Sequence, residues 1–236
     1  MQARDSQMKA ARPSRLGIWI GMTVIALWGL MLGINFTWEV DFLHPLTYLF
    51  VLIQTHLFTG LFITAHDAMH GSVAPKRAGW NHGIGRLAAF LFVFNSYKLL
   101  RPAHYKHHRH VGTADDPDFH RGNPSFWFWY LDFLKEYIRW PQILMAAVAF
   151  NIVAIWIPEP NLILYWVVPS LLSTLQLFYF GTYLPHKGEH ENQHHARSQG
   201  KNHLWAFLSC YFFGYHFEHH DSPSTPWWQL WRTKEG

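Results

Sequence analysis

The stretch His104-Tyr-Lys-His107-His108-Arg-His110 places four histidines among seven residues. Its core pattern, H-x-x-H-H, returns at His216-Phe-Glu-His219-His220, and a shorter H-x-x-x-H cluster stands at His66-Asp-Ala-Met-His70. Neutral imidazole is the commonest side-chain metal ligand. Three such clusters in a chain of 236 residues, 18 of them histidine, predict a polynuclear metal site.

Four long stretches of the chain contain no Lys, Arg, Asp or Glu. A membrane-spanning helix needs roughly 20 consecutive apolar residues, and only helices or closed barrels satisfy their backbone hydrogen bonds in lipid. The stretches are long enough to span and do not alternate, so they predict helices. The predicted spans cover about 17–34, 46–65, 141–157 and 162–184.

The basic residues predict the orientation of these spans. None of the 19 Lys and Arg residues lies in 35–45 or 158–161. By the positive-inside rule, both termini and the long loop 66–140 are cytoplasmic. An even number of spans then separates the histidine clusters, so all of them face the cytoplasm and can meet. The short apolar stretches 87–94 and 204–215 predict interfacial helices.

The predicted fold is therefore an all-α integral membrane protein. It has four transmembrane helices in two hairpins, a cytoplasmic histidine-rich cap and short interfacial helices. Residues 1–236 form a single membrane-embedded domain, with a cytoplasmic tail over 1–16. The one cysteine, Cys210, excludes an intrachain disulfide and a cysteine-based metal cage, and it is interpreted as an apolar filler.

Helical spacing indicates how the histidines bind. Positions i, i+3 and i+4 share a helix face, so each cluster presents several imidazoles together, and an adjacent pair diverges enough to reach two metals. One ion cannot use all of these ligands, whereas two ions can. An all-nitrogen set suits Zn, Cu, Fe or Ni. The candidate ligands are His66, His70, His104, His107, His108, His186, His216, His219 and His220.

Other polar residues near the clusters are candidates for orienting these ligands. Partners of metal-bound imidazoles hydrogen-bond the other ring nitrogen. Asp67, Asp116 and His194 are predicted to do so, whereas Asp115 fits a turn before Pro117. His110 falls outside the recurring pattern and is interpreted as a neighbour rather than a ligand.

The three histidine clusters and four spans are arranged in a way that resembles the membrane fatty acid desaturase and hydroxylase superfamily. Within it, further segments resemble the carotenoid β-ring 4-ketolases, and together they cover most of the chain from the second span onward. These segments are His66-Asp-Ala-Met-His70-Gly71, Gly112-Thr-Ala-Asp-Asp-Pro-Asp-Phe119, Phe180-Gly-Thr-Tyr-Leu-Pro-His186, His194-His-Ala-Arg-Ser198 and Pro226-Trp-Trp-Gln-Leu-Trp231.

The resemblance implies a non-haem site of two Fe²⁺ ions held by the nine histidines, with O₂ as co-substrate. It implies no catalytic residue beyond the metal site. His186 matches an isolated ligand after the last span, and Thr182 occupies a position where some relatives have Asn. The implied reaction introduces a keto group at C4 of a β-ionone ring, converting β-carotene to echinenone and canthaxanthin.

The resemblance also implies the partners of the chain. The carotenoid enters from the lipid phase, a ferredoxin with its reductase supplies electrons, and membrane lipids surround the spans. No nucleic-acid partner is expected.

Several alternatives remain open. A fatty acyl desaturase or hydroxylase, or a carotenoid 3-hydroxylase, would use the same metal site. A membrane zinc hydrolase is a third possibility, because His66-Asp-Ala-Met-His70 is similar to H-E-x-x-H. A zinc hydrolase site needs only three protein ligands, so six of the clustered histidines would have no role. A metal carrier would need polar ligands along the spans, which offer only His56.

Overall fold

The computed structural model describes residues 15–234, so most of the predicted cytoplasmic tail, residues 1–14, lies outside the described part. Within 15–234 the chain is helical and contains no strand, which confirms the predicted all-α class. A single 3₁₀ turn, Trp231–Lys234, follows the last helix. The helices are α1 Leu16–Thr37, α2 Pro45–Met69, α3 Ala78–Leu91, α4 Tyr97–His110, α5 Phe126–Tyr137, α6 Trp140–Val153, α7 Glu159–His186, α8 His203–Cys210, α9 His216–Asp221 and α10 Trp227–Leu230.

Three of these helices are long and apolar enough to cross a membrane. They are α1 with 22 residues, α2 with 25 and α7 with 28, and they correspond to the first, second and fourth predicted spans. The third predicted span is shorter than expected, because α6 has 14 residues and the chain turns at 154–156. Pro158 disfavours helical backbone just before it, which contributes to this early end.

Large apolar side chains on α1 and α6 are exposed at the molecular surface. Trp19 is 68% exposed and Ile143 is 59% exposed, and similar residues continue along both helices. Exposing this much apolar surface to water is unfavourable, at about 25 cal/mol per Å². Contiguous apolar surface of this kind is typical of a face that contacts lipid.

Helix α2 lies at the centre of the molecule, and its second half is buried. Helix α3 crosses it closely at Gly85, where an added Cβ would lie 2.7 Å from Ala68 Cβ and 2.6 Å from the Tyr97 ring. Helix α4 is tied to α2 by the Tyr105 hydroxyl, which donates to the Met69 carbonyl at 2.7 Å. These contacts hold α3 and α4 against the end of α2.

The long helices are arranged so that α2 and α7 end at the same end of the molecule. Gly17, at the start of α1, contacts the Val73 carbonyl just after the end of α2. At the opposite end, Asn161 near the start of α7 donates to the carbonyls of Asn35 and Trp38, at 2.9 and 2.6 Å. Helix α1 is therefore antiparallel to α2, and α7 runs in the direction of α2.

Both short apolar stretches contain helix, with shifted boundaries. Helix α3 ends before the left-handed residues Val93 and Phe94, and α8 ends before left-handed Tyr211 and Phe212. Apolar residues continue past both helix ends because they pack in the interior without needing helical backbone. The sequence therefore located the apolar segments but not the turns that end the helices.

Candidate metal centre

The nine candidate histidines lie on four helices that meet at one end of the molecule. They come from the last turn of α2, from α4, from the end of α7 and from α9. Helical spacing pairs them locally, with ring centroids 5.0 Å apart for His66 and His70 and 4.5 Å apart for His104 and His108. The structure brings all nine together in two groups.

The first histidine group contains five of them. Each offers a ring nitrogen within 4.8 Å of the others, and several Nε2 atoms are closer. His70 and His104 are 2.6 Å apart at these atoms, and His108 lies 3.1 Å from both His104 and His219. The members are His66, His70, His104, His108 and His219.

The second histidine group is His107, His186, His216 and His220, and all four are buried. The Nε2 atom of His216 lies 2.9 Å from that of His186 and 3.0 Å from that of His220. The Nε2 atoms of His107 and His220 are 3.2 Å apart. Four imidazole nitrogens therefore converge on one point.

The two histidines of each adjacent pair belong to different groups. His107 belongs to the second group and His108 to the first, and His220 and His219 divide in the same way. Successive residues of a helix point about 100° apart, so neighbours cannot face one point. The repeated H-x-x-H-H pattern thus contributes ligands to both groups from each of two helices.

Hydrogen bonds at the other ring nitrogen fix the tautomers of two histidines in the second group. His107 Nδ1 donates to Asp116 Oδ1 at 2.9 Å, and His186 Nδ1 donates to the His195 carbonyl at 3.0 Å. A neutral imidazole that donates from Nδ1 carries its lone pair on Nε2. The Nε2 lone pairs of both residues therefore point into the centre of the group.

The pKa values of the histidines on α4 and α9 favour neutral rings. Burial, together with the neighbouring imidazoles, holds the pKa values of His104, His216, His219 and His220 well below the ordinary value. The same causes lower the pKa of His108 to about 2. Neutral rings keep the lone pairs that a metal ion requires.

His107 differs because two carboxylates lie beside it. Burial by itself lowers its pKa, but Asp118 and Asp116 together raise the pKa above the ordinary value. Burial similarly opposes ionisation of Asp116, yet the bond from His107 and the amides of Gly112 and Asp118 lower the pKa of this carboxyl. The ionised Asp116 carboxylate accepts a charge-assisted hydrogen bond from His107 Nδ1, and this bond is compatible with a neutral His107 ring whose Nε2 faces the group.

The donor atoms fit two metal ions. The Nε2 atom of His66 is buried within the first group and has no hydrogen-bond partner among the described residues. Nε2 lone pairs that face one another at about 3 Å repel unless a proton or cation lies between them. Groups of five and four imidazoles, with no cysteine, suit first-row transition metals such as iron, zinc, copper or nickel.

A small acidic cluster adjoins the second group. Asp118 Oδ2 lies 3.8 Å from His107 Nδ1, and the Tyr137 hydroxyl donates to Asp118 Oδ1. Trp129 Nε1 also donates to the Asp118 carbonyl at 2.7 Å. Burial raises the pKa of Asp118 to about 6, although its interaction with His107 opposes this shift. The cluster ties helix α5 to the metal-facing end of α4.

The other predicted orienting residues differ in their contacts. Asp67 lies 3.4 Å from His66 Nδ1, and its Oδ2 accepts from the Trp227 amide at 2.9 Å. His194 makes no hydrogen bond to any of the nine histidines in the described part of the chain. Its Nε2 lies 3.4 Å from Asp221 Oδ1, and its ring centroid is 5.8 Å from that of His220.

Two groups at the site were not predicted from the sequence. The His195 carbonyl orients His186, and a backbone carbonyl cannot be identified from residue type. The Phe213 ring packs between the groups, with its centroid 4.9 Å from that of His66 and 5.3 Å from that of His216.

A cavity with an empty volume of about 1020 Å³, including its open mouth, reaches both histidine groups. His66 and His104 of the first group line it, together with His107 and His216 of the second. Most of its remaining wall is apolar, with contributions from α2, α4, α5 and α7. Largely apolar cavities with a few polar groups are typical of small-molecule sites.

A groove between α6 and α7 adjoins this cavity. Ile138, Gln142, Ser170 and Leu171 line both spaces, and Ala146 lies further along the groove. Most of the groove wall is apolar, and Gln142 and Ser170 are its polar members. The groove therefore presents apolar surface to a ligand beside the cavity that the histidines line.

Comparison with known proteins identifies the class. The Fatty acid desaturase family profile matches residues 43–141 and 134–235, which include all nine histidines. The chain belongs to the fatty acid desaturase family.

Its similar relatives within that family are carotenoid ketolases. A beta-carotene ketolase of a Paracoccus species is 40% identical over 239 residues, covering 97% of this chain and 98% of the relative. A second Paracoccus beta-carotene ketolase is 39% identical over 218 residues, covering 89% of both chains. A zeaxanthin 4-ketolase of Chlamydomonas reinhardtii is 37% identical over 234 residues, covering 91% of this chain and 52% of the relative. The resemblance to the ketolase branch is confirmed.

Proposed function

We propose that this chain is a di-iron, O₂-dependent oxygenase that introduces a keto group at C4 of carotenoid β-ionone rings. The observation that carries the proposal is the cavity that reaches both histidine groups and opens between apolar helices. The similarity to beta-carotene ketolases supports the substrate class. Acting on β-carotene, the chain forms echinenone and then canthaxanthin.

The two histidine groups are proposed to hold one Fe²⁺ ion each. The bound iron pair supplies the binding and reduction of O₂ that oxidation of an unactivated methylene requires. The chain positions the nitrogens, with Asp116 and the His195 carbonyl orienting His107 and His186. Asp67, beside His66, is a further candidate for this role, and His194 is a more distant one.

Two rounds of oxidation account for a ketone. Each round consumes O₂ with two electrons and two protons, inserts one oxygen atom into a C–H bond, and releases the other as water. The first round gives the 4-hydroxy ring and the second a gem-diol, which loses water to form the ketone. The apolar cavity walls bind the ring, present C4 to the histidine groups, and exclude bulk water from the reaction.

Residues 1–236 are proposed to form one membrane domain with four crossings. Helix α2 ends at the histidine groups, whereas α7 begins at the opposite end, beside Trp38. The chain between them must therefore return across the membrane, and α6 lies in that part. Its 14 residues are about 21 Å long. The hydrocarbon core is about 30 Å thick, so the turn at 154–157 completes the crossing.

The basic residues support a cytoplasmic metal site. The loops at 35–45 and 158–161 carry no Lys or Arg, which places them outside by the positive-inside rule. Both termini then face the cytoplasm, where a ferredoxin and its reductase are the proposed electron donors. A reporter enzyme that works only outside the cytoplasm should be active when it is fused at 40 or at 158. A reporter that works only in the cytoplasm should be active when it is fused at 120. The reverse pattern would contradict this orientation.

Expression in a β-carotene-producing bacterial host tests the function. Chromatography of the extracted pigments should show echinenone and canthaxanthin. His108→Ala should abolish both products, because it removes a member of the first group. His110→Ala is the matched control, since that residue is exposed and belongs to neither group. Its product yield should equal that of the unchanged protein.

The same analysis separates the alternatives. A 3-hydroxylated carotenoid as the product would identify a carotenoid 3-hydroxylase. Unchanged β-carotene together with newly desaturated or hydroxylated acyl chains would identify an acyl-modifying enzyme. About two iron ions per purified chain are expected, and stoichiometric zinc in an active preparation would overturn the di-iron proposal.

A further inference from the structure

Thr182 presents an unpaired hydroxyl at the cavity. Its side chain lines the same cavity as His66 and His216, and the residue is only 3% exposed. Among the described residues, no hydrogen bond is made by its hydroxyl. A polar group that faces a cavity without a partner in the protein can take one from water or from a bound ligand. The position of this hydroxyl therefore points to a polar atom on whatever molecule fills the cavity.

The other threonines of α2 and α7 do not leave their hydroxyls free. Those of Thr55, Thr64 and Thr174 donate to the carbonyl four residues back, at 2.7 to 2.9 Å. Thr182 differs because it lies in a π-helical turn, Tyr179–Tyr183. In that turn the Leu184 amide bonds to the carbonyl of Tyr179, five residues back. π-Helical turns are frequent at functional sites.

The hydroxyl lies where the cavity approaches the histidine groups. Thr182 and His186 are four residues apart on α7, and His186 belongs to the second group. The neighbouring Gly181 contacts the Phe213 ring, which itself packs against His66. This part of the cavity is the one in which the reacting ring carbon must be held.

The other hydroxyls of the cavity wall are already engaged. Ser170 donates to the Val167 carbonyl at 2.7 Å, and Tyr137 donates to Asp118. Thr174 is paired within its own helix. Among the hydroxyl-bearing side chains of the wall, Thr182 therefore supplies the free donor near the histidines.

We propose that the Thr182 hydroxyl binds the C4 oxygen of the half-oxidised ring and retains this 4-hydroxy intermediate for the second oxidation. This inference rests on the proposed function. A hydrocarbon ring offers no hydrogen-bond partner, so the hydroxyl stays unpaired while β-carotene is bound. After the first round the ring carries an oxygen, and the hydrogen bond forms. The intermediate is consequently held more tightly than the substrate that precedes it.

Binding measurements test this without turnover. Thr182→Val removes the hydroxyl at nearly constant volume, and Thr182→Ser retains it. Thr55→Val is the matched control, because its hydroxyl pairs within α2 and does not line the cavity. Each protein is purified in lipid nanodiscs, and quenching of tryptophan fluorescence reports the binding of β-carotene and of 4-hydroxy-β-carotene. We expect Thr182→Val to bind the hydroxylated compound about tenfold more weakly, with unchanged affinity for β-carotene.

Product ratios and metal content complete the test. In the carotene-producing host, Thr182→Val should accumulate 4-hydroxy carotenoids, whereas Thr182→Ser and Thr55→Val should retain the original ratio of ketone to alcohol. Iron per chain should not change in any variant. Equal affinity of Thr182→Val and the unchanged protein for the hydroxylated compound would overturn the inference. So would loss of iron from Thr182→Val, since the hydroxyl would then serve the metal centre.

The two proposals fail in different ways. If the unchanged protein forms no product oxidised at C4, the proposed function is wrong. If ketone forms but the alcohol-to-ketone ratio is the same in Thr182→Val, only the inference about Thr182 is wrong.

Discussion

Replacing Asp116 by Asn tests how the second histidine group is held. The Asp116 side chain is buried, and its two oxygens accept three hydrogen bonds. Oδ1 accepts from His107 Nδ1 and from the Asp118 amide, and Oδ2 accepts from the Gly112 amide, each at 2.9 Å. Asn has one oxygen and one donor group, so in either orientation an N–H must face another N–H.

The free-energy cost of Asp116→Asn follows from these hydrogen bonds. The less costly orientation keeps the amide oxygen on His107 and places the NH₂ group against the Gly112 amide, which leaves buried donors unpaired. That costs about 1–3 kcal/mol. The remaining bond to His107 also loses the carboxylate charge, and charged hydrogen bonds are roughly twice as strong as neutral ones. Loss of such a partner weakens metal binding by about 10- to 100-fold, which is about 1.4–2.7 kcal/mol.

Metal retention under increasing chelator concentration is the assay. The unchanged protein should release its two ions in the order of their affinities. Asp116→Asn should release one ion at a chelator concentration about 10- to 100-fold lower, and the other ion should be retained as before. The reason is that His107 belongs to the second histidine group and not to the first.

The neighbouring Asp115 provides the matched control. Its side chain is 74% exposed, and Lys106 lies 4.0 Å away, so Asp115→Asn removes the same charge without touching a histidine. Release of both ions from this variant should match the unchanged protein. If Asp116→Asn, folded by its thermal unfolding curve, also matches the unchanged protein, then the hydrogen bond to His107 does not control metal binding.

Three further predictions concern the groove, the helix packing and the metal. Ala146→Trp should block the groove between α6 and α7 and lower ketone formation without lowering iron content. Val148→Trp, at an exposed position on α6, is the control and should leave ketone formation unchanged. Gly85→Ala should lower the free energy of unfolding by about 1–3 kcal/mol, measured by thermal unfolding in detergent, because the added Cβ meets Ala68 and Tyr97. An unaltered melting temperature would show that α3 shifts freely. Removing iron should lower the melting temperature and restoring it should reverse the change, since a metal that binds only the folded state stabilises that state.

Much of the helical fold could be predicted because lipid leaves few alternatives. A long apolar run without charge must form a helix or a closed barrel to satisfy its backbone, so α1, α2 and α7 were recognisable from composition. The end of α6 could not be predicted, because residues 154–157 are as apolar as the helix before them. The turn at Val93 depends on packing and carries no Gly or Pro to mark it, and the turn that begins at Tyr211 has a glycine only at its last residue, Gly214.

The candidate ligands were recognisable from spacing, but their partners were not. H-x-x-x-H and H-x-x-H-H dictate which imidazoles share a helix face, because that depends only on helical geometry. Asp116 was identifiable as a candidate because it lies nine residues from His107 and is acidic. The His195 carbonyl was not identifiable, since every residue has a carbonyl and only the loop conformation directs this one to His186.

The sequence by itself determined the apolar helices, the local pairing of histidines within each helix, and the diverging directions of each adjacent pair. These follow from backbone hydrogen bonding and from about 100° of rotation per residue. Only the tertiary structure decided that His107 and His220 share one group while His108 and His219 share the other. It also decided that Thr182 faces the cavity with a free hydroxyl. The physical reason is that these relations join residues distant along the chain, and only the packing of α2, α4, α7 and α9 sets the distances between them.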